Sequence, residues 1–278
     1  MEEFRGRAAV VTGGGGGIGK AMALAFADEE MNIVIADVDM DAAGTAVAEV
    51  EAKGVRAIAV KTDVSDRASV QELADTTKRE FGGTHVLCNN AGVVTFKFAQ
   101  DMTEQDWDWI LGVDLYGVIH GIEAFLPGMV AAGEGGHIVN TASIAGLVPA
   151  ATPGIIAYTT AKYGVVGLSE ALRLDLAEHD IGVSVVCPGG VRSRIVDAGR
   201  NRPEALGGPE VSAMLPGDGV RQGDSVPQTM IEPEDLAARI LKAVKNDELY
   251  VLSHPETQPA VEARFAGLLE AFDAIPAS

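Results

Sequence analysis

Residues 8–29 read AAVVTGGGGGIGKAMALAFADE, and the order of textures in this stretch decides the fold. Ala8 to Thr12 is a short apolar run of strand type, Gly13 to Gly17 is uninterrupted glycine, and Ile18 onward has helical spacing. A glycine run alone would read as a flexible turn. Set between a strand and a helix, it lets the backbone approach a pyrophosphate, whose charge meets unpaired N–H groups at the helix start. Gly13, Gly16, Gly17, Ile18 and Gly19 are therefore candidate dinucleotide contacts.

The same alternation continues outward. Strands are expected near residues 8–12, 32–37, 55–60, 84–89, 136–141 and 181–187, with helical segments between them, which is the pattern of βαβ units. The expectation is an α/β fold: one Rossmann-type, doubly wound parallel sheet flanked by helices, with residues 1–278 forming a single unit. Past Pro188 the texture changes. Residues 189–230 are rich in Gly, Pro, Asp and Arg, too long for an ordinary connector, and read as a substrate lid. A helix near 233–246, a last strand in ELYVLS and a tail helix within 255–273 follow. The tail sets Val261, Phe265, Leu268, Leu269 and Phe272 on one stripe, for packing on the parent domain or for capping a pocket or subunit contact.

Composition bounds the partners. The formal net charge of −19 argues against nucleic acid and anionic membranes, which require Lys and Arg to replace counterions. The opening MEEFRGRAAVV lacks the apolar core of a leader, and no unbroken apolar run reaches spanning length, so a cytoplasmic home is expected. None of the five histidines has metal-ligand spacing, so no metal is expected. Trp107 and Trp109 in EQDWDWIL read as helix-face packing, with room for one to face a pocket.

Two further features carry chemistry. Asp37 ends the second strand eighteen residues after Gly19, where a carboxylate can accept from both hydroxyls of an adenine ribose and repel a 2′-phosphate. NAD is thus favoured over NADP, while the alternative for Asp37 is a loop or N-cap acid, a role open to Asp39 and Asp41. Tyr158 and Lys162 stand four apart in a helical segment, placing their side chains on one face with Cβ atoms ~6 Å apart. A phenol ordinarily titrates near ~10, and an adjacent ammonium favours the phenolate, making it usable as acid and base. Ser143, just past the strand GHIVNTAS, can hold a substrate oxygen beside that phenol.

With these residues in place the chain resembles the short-chain dehydrogenase/reductase family in its shorter form, from Arg7 to Leu252. The resemblance rests on T-G-x-x-x-G-I-G at 12–19, Asp63 in KTDVSD, Asn89-Asn90-Ala91-Gly92, Ser143, Tyr158 with Lys162, and Pro188-Gly189. It implies a strand order of 3-2-1-4-5-6-7. In that order one strand separates Cys88 from Cys187, about 9–10 Å and beyond disulfide reach. It also implies adenine contacts from Asp63 and Val64, a cofactor wall at Asn90, Ala91 and Gly92, and a ribose contact from Lys162. Pro188, Gly189, Val191 and Ser193 match the family's carboxamide-binding turn, with Ser193 in place of Thr. Where the family has Asn in V-N-L-x-G this chain reads Val113-Asp114-Leu115-Tyr116-Gly117. In the family that Asn supports a water linked to the lysine. Asp114 either keeps a relay role with an altered pH profile, its charge raising the lysine, or merely pairs locally.

The implied reaction is NAD-dependent interconversion of a secondary alcohol and a ketone. Ser143 positions the oxygen, Tyr158 moves the proton, and a hydride passes to or from the cofactor. The rival reading is an NAD-binding sensor on the same fold without turnover. The tail is similar to bacterial aryl-ether Cα-dehydrogenases, suggesting a bulky hydrophobic or aromatic substrate. A homotetramer or homodimer pairing the helices near 114–132 and 155–178 is implied by resemblance.

Overall fold

The computed structural model describes residues 3–149, 154–210, 229–273 and 275. Seven strands form one sheet: β1 (Ala8–Thr12), β2 (Asn32–Asp37), β3 (Ala57–Lys61), β4 (Val86–Asn89), β5 (Gly136–Thr141), β6 (Ile181–Cys187) and β7 (Tyr250–Leu252). Their order is β3-β2-β1-β4-β5-β6-β7, and every neighbouring pair is parallel. All residues of β1, β4 and β5 are buried. Helices cover both faces, so β1 and β4 read as apolar runs up to their last residue, and the buried polar residues of β5 find partners inside the fold, as Asn140 does in Ser169.

The alternation of side chains along a strand divides the core in two. From β1, Ala9 and Val11 enter a cluster with α1 (Gly17–Asp28), α2 (Met40–Glu51) and α7 (Pro233–Asn246) around Met22, Phe26, Val50 and Ile240. Val10 points the other way, toward α3 (Arg67–Phe81), α5 (Gly117–Ala132) and α6 (Ile156–Asp175) around Leu73, Phe125 and Leu172. Short polar side chains start the helices by accepting free N–H groups. Asp39 caps α2 and Asp66 caps α3, while Thr103 and Asp106 form a capping box on α4 (Glu104–Leu111).

The resemblance implies a helix near 114–132, and the structure extends it backwards. A single π turn at Gly112–Tyr116 joins α4 to α5, making a continuous helical run Glu104–Ala132. This run is long and apolar enough to cross a bilayer, yet it packs on α3, α6 and β4, which accounts for its apolar residues. Much of the proposed lid, residues 211–228, lies outside the described residues. The described part forms two 3-10 turns, Ile195–Asn201 and Glu204–Leu206, and a bridge between Val191 and Ile231.

The tail differs from expectation. α8 (Gln258–Asp273) touches the body through its first turns, where Ala260 and Val261 meet Ile144 and Val148. Phe265, Leu268, Leu269 and Phe272 are exposed, so past its first turns the stripe does not pack on the parent domain.

Candidate active site

The chain leaves β1 toward β2 on one side while β4 lies on the other, so a crevice opens over the carboxyl ends of these strands. One continuous cleft of about 520 Å³ follows it. At one end the loop after β1 forms a cradle of backbone. Gly13 has φ of +64°, and a Cβ there would stand 2.9 Å from the Ala91 backbone. The N-cap of α1 is Gly16, which offers no side-chain acceptor to the first-turn N–H groups. A polyanion would find unpaired donors and a favourable helix dipole there.

Of the loop residues expected to bind, Gly13, Gly16, Gly17 and Ile18 line the cleft. Gly19 does not. It sits beneath the loop, where a Cβ would lie 2.2 Å from the Gly13 carbonyl oxygen, so its role is to let the helix close against the turn. Thr12 fastens the cradle to the neighbouring strand: its hydroxyl donates to the Cys88 carbonyl and accepts from the N–H groups of Asn90 and Ala91. Asn90, Ala91 and Gly92 thereby form the adjacent wall.

The N-cap role that the sequence left open between Asp37 and the acids after it falls to Asp39. Asp39 is the N-cap of α2 and accepts from the Ala42 N–H at 3.0 Å. Asp37 lines the cleft, and its two oxygens accept from the N–H groups of Gly15 and Asp39 at 2.9 and 3.0 Å. Asp63 and Val64 lie on the same wall, Asp63 with one oxygen bound to the backbone and hydroxyl of Ser65. Across the cleft stand Pro188, Gly189, Val191 and Ser193. Gly189 donates to Ser253 and His254, and a Cβ on Gly17 would come within 3.1 Å of the Ser193 Cβ.

At the other end Ser143, Tyr158 and Lys162 converge. A buried chain of amides sets the position of α6. Asn89 donates to Asn140 at 2.9 Å, Asn140 to Ser169 at 3.0 Å, and Ser169 to the Val165 carbonyl. This ladder ties α6, the bearer of Tyr158 and Lys162, to β4 and β5. The Lys162 ammonium is buried and donates to the Thr141 carbonyl at 3.0 Å. It also lies 5.4 Å from the centre of the Tyr158 ring.

Asp114 is not on the cleft wall. It stands behind Lys162, fully buried, with a carboxylate oxygen 3.0 Å from the ammonium. The Val93 N–H donates to both of its oxygens. Of the relay and the local pairing left open for Asp114, the structure shows a direct contact of the carboxylate with the lysine. Burial raises Asp114 above the usual carboxylate range, with Lys162 pulling the other way. For Lys162 burial works downward, but the charges of Asp114 and Tyr158 win and hold it above its ordinary value.

Tyr158 departs from the sequence expectation. Its half-buried ring is reached from the cleft, yet burial pushes the phenol above its ordinary value. Lys162 and the Ser143 hydroxyl lower it, and Asp114 raises it again. The ammonium's influence is real in direction but is partly spent on its own carboxylate.

Beyond Ser143 the cleft is walled by Val93, Phe96, Trp109, Val113, Ile195 and Val196. Sequence reasoning found Trp109 as a helix-face residue. It is buried and also faces this wall. Phe96 and Met230 carried no motif that would have marked them.

The description short chain dehydrogenase matches residues 7–204. A Cα-dehydrogenase of Sphingobium sp. (strain NBRC 103272 / SYK-6) is 36% identical over 272 residues, covering 97% of this chain and 88% of that protein. This agrees with the resemblance read from the tail. Among solved structures, a short-chain dehydrogenase/reductase from Burkholderia phymatum in complex with NAD superposes with a TM-score of 0.87 at 38% identity, covering 100% of this chain and 99% of that one. The apo form of LigO from Sphingobium sp. strain SYK-6 gives a TM-score of 0.80 at 36% identity, covering 98% and 91%.

Proposed function

Because the chain belongs to the short-chain dehydrogenase family of oxidoreductases, we propose that it interconverts a secondary alcohol and a ketone with NAD as hydride carrier. One observation carries this reading: Ser143, Tyr158 and Lys162 meet at one end of a cleft whose other end is a side-chain-free cradle with a carboxylate beside it. The cradle residues Gly13, Gly16, Gly17 and Ile18 fit a pyrophosphate, and Asp37 fits a ribose with free hydroxyls better than one bearing a phosphate. Asp63 and Val64 would flank the adenine, and Asn90, Ala91 and Gly92 the middle of the cofactor. Val191 and Ser193 would hold the carboxamide end, with Pro188 and Gly189 shaping that turn. When bound, the cofactor accepts or returns a hydride at its pyridine ring.

The chain's own side chains handle the oxygen and the proton. Ser143 donates to the substrate oxygen and holds it against the Tyr158 hydroxyl. In the oxidative direction Tyr158 removes the hydroxyl proton as the carbon loses hydride, and in the reductive direction it returns that proton. Lys162 keeps a positive charge close to the phenol and contacts the ribose. Asp114, out of reach of substrate, positions Lys162. The apolar wall of Phe96, Trp109, Ile195 and Val196 suits a bulky hydrophobic or aromatic alcohol. The similar Sphingobium protein's description as a Cα-dehydrogenase supports the same class. The described residues of the segment after Pro188, among them Ile195, Val196 and Ala198, would serve as the lid over that substrate. A cytoplasmic homotetramer or homodimer is the form we propose.

Reduction of NAD is to be measured over a panel of secondary alcohols from aliphatic to aryl-substituted, with NADP in parallel. Turnover of the aryl members with NAD supports the reading. Cofactor binding with no turnover across the panel would leave a sensor in its place.

A further inference from the structure

Four charged side chains from three separate segments meet behind the substrate wall. Asp106 on α4 is fully buried and uses both of its oxygens. One accepts from the N–H and hydroxyl of Thr103, closing the capping box. The other stands 2.9 Å from Lys97 Nζ and 2.7 Å from a terminal nitrogen of Arg202. The same Arg202 nitrogen lies 2.9 Å from Glu210, which also reaches Lys97 at 3.5 Å. Despite its burial, Asp106 is held well below the usual carboxylate range by these donors.

Arg202 is the member that joins this cluster to the lid. Its side chain is only 4% exposed, its Nε donates to the Leu206 carbonyl at 2.5 Å, and its guanidinium lies 5.2 Å from the centre of the Trp109 ring. Asp106 and Trp109 are three apart on one face of α4, so a single guanidinium engages both. The residues on either side of Arg202, Asn201 and Pro203, line the cleft, as do Ile195, Val196 and Ala198 in the preceding turn. Arg202 therefore turns its back on the cleft and fixes the depth at which its neighbours enter it.

We propose that Arg202 is a positioning residue for substrate: by clasping Asp106, Glu210 and Trp109 it holds the turn Ile195–Asn201 as the wall against which the alcohol or ketone is bound. The inference rests on the reading of this cleft as an alcohol/ketone site. Cofactor contacts lie elsewhere on the cleft, so the clasp acts on substrate affinity and leaves the dinucleotide untouched. Lysine at this position keeps the charge but loses the planar fork and the stacking on Trp109.

The test compares wild type with Arg202→Lys, Arg202→Gln and the charge-balanced pair Asp106→Asn with Arg202→Gln, the last guarding against misfolding from a buried carboxylate left with Lys97 as its one cationic partner among the described residues. NADH affinity, kcat and KM for an alcohol turned over by wild type, and amide hydrogen exchange over residues 195–206 are measured. Arg202→Gln is expected to raise KM at least tenfold, change kcat less than threefold and leave NADH affinity within twofold, with faster exchange over 195–206. Arg202→Lys should fall between it and wild type, and the pair should behave as Arg202→Gln does. Unchanged KM with unchanged exchange overturns the proposal, as does a parallel loss of NADH affinity. If wild type turns over no alcohol, the assignment of the reaction fails on its own. Exchange over 195–206 then decides the clasp: faster exchange in the variants supports it, and unaltered exchange overturns it.

Discussion

The Asp114 carboxylate and the Lys162 ammonium stand 3.0 Å apart, with both side chains shut off from solvent. The charge of Asp114 raises both Lys162 and the Tyr158 phenol. Replacing it with the neutral isostere in Asp114→Asn removes an influence that opposes ionisation of the phenol. The rising limb of kcat/KM for alcohol oxidation, on which the phenol ionises to act as base, should then move to lower pH. Because one member of a buried pair is lost, stability should fall by roughly 3 kcal/mol. A pH–rate profile that does not move, or moves to higher pH, contradicts this.

Tyr158→Phe keeps the ring and deletes the hydroxyl that the proposed reaction uses to move the substrate proton. Turnover should drop by about 10³-fold or more, whereas NADH affinity, read by fluorescence titration, should hold within about twofold. Activity near the wild-type level would remove Tyr158 from its role.

Asp37 couples the cradle to the cleft wall proposed to meet the adenine ribose, since it already accepts from the Gly15 N–H at 2.9 Å. Asp37→Ala should weaken NAD about ten- to one-hundred-fold, the worth of one or two hydrogen bonds to a charged group. It should also narrow the preference against NADP, because the repelling charge is gone. Titrating both cofactors against the variant checks the two claims separately.

Far from the cleft, His137 on β5 is buried with its Nε2 bound to Ser184 Oγ at 2.8 Å, and burial presses its pKa down to about 4. In the unfolded chain the ring titrates near ~6.5, so between these values the unfolded state binds more protons. Stability from this group is complete above about pH 6.5 and is lost as pH falls toward about 4, a change of about 3 kcal/mol. Urea unfolding followed from pH 7 to 4 should show this slope, and His137→Asn should flatten it.

The strands were legible because burial on both faces leaves a continuous apolar signature, and the cradle because only backbone can approach a pyrophosphate so closely. The pairing of Tyr158 with Lys162 was legible from helical spacing. What spacing could not carry is the environment. The direction of the Tyr158 shift depends on how deeply the phenol sits and on a carboxylate from a different helix. The clasp of Arg202 on Asp106 joins positions far apart in the chain, and neither residue belongs to a recurring motif. For α8 the apolar stripe predicted contact correctly in its first turns only, since periodicity tells which residues share a face and not how far the supporting surface extends.

The amide ladder from Asn89 through Asn140 to Ser169 has a consequence for how this scaffold diversifies. The far end of α6 takes its bearing from the middle of the sheet at Ser169, whereas its start, from Ile155 to Tyr158, packs on Phe96, Trp109 and Ile195 of the cleft wall. Redrawing those wall segments therefore acts first on the turn that carries Tyr158, while the ladder stays in place. Drift in the cleft wall is felt at one end of this helix and buffered at the other.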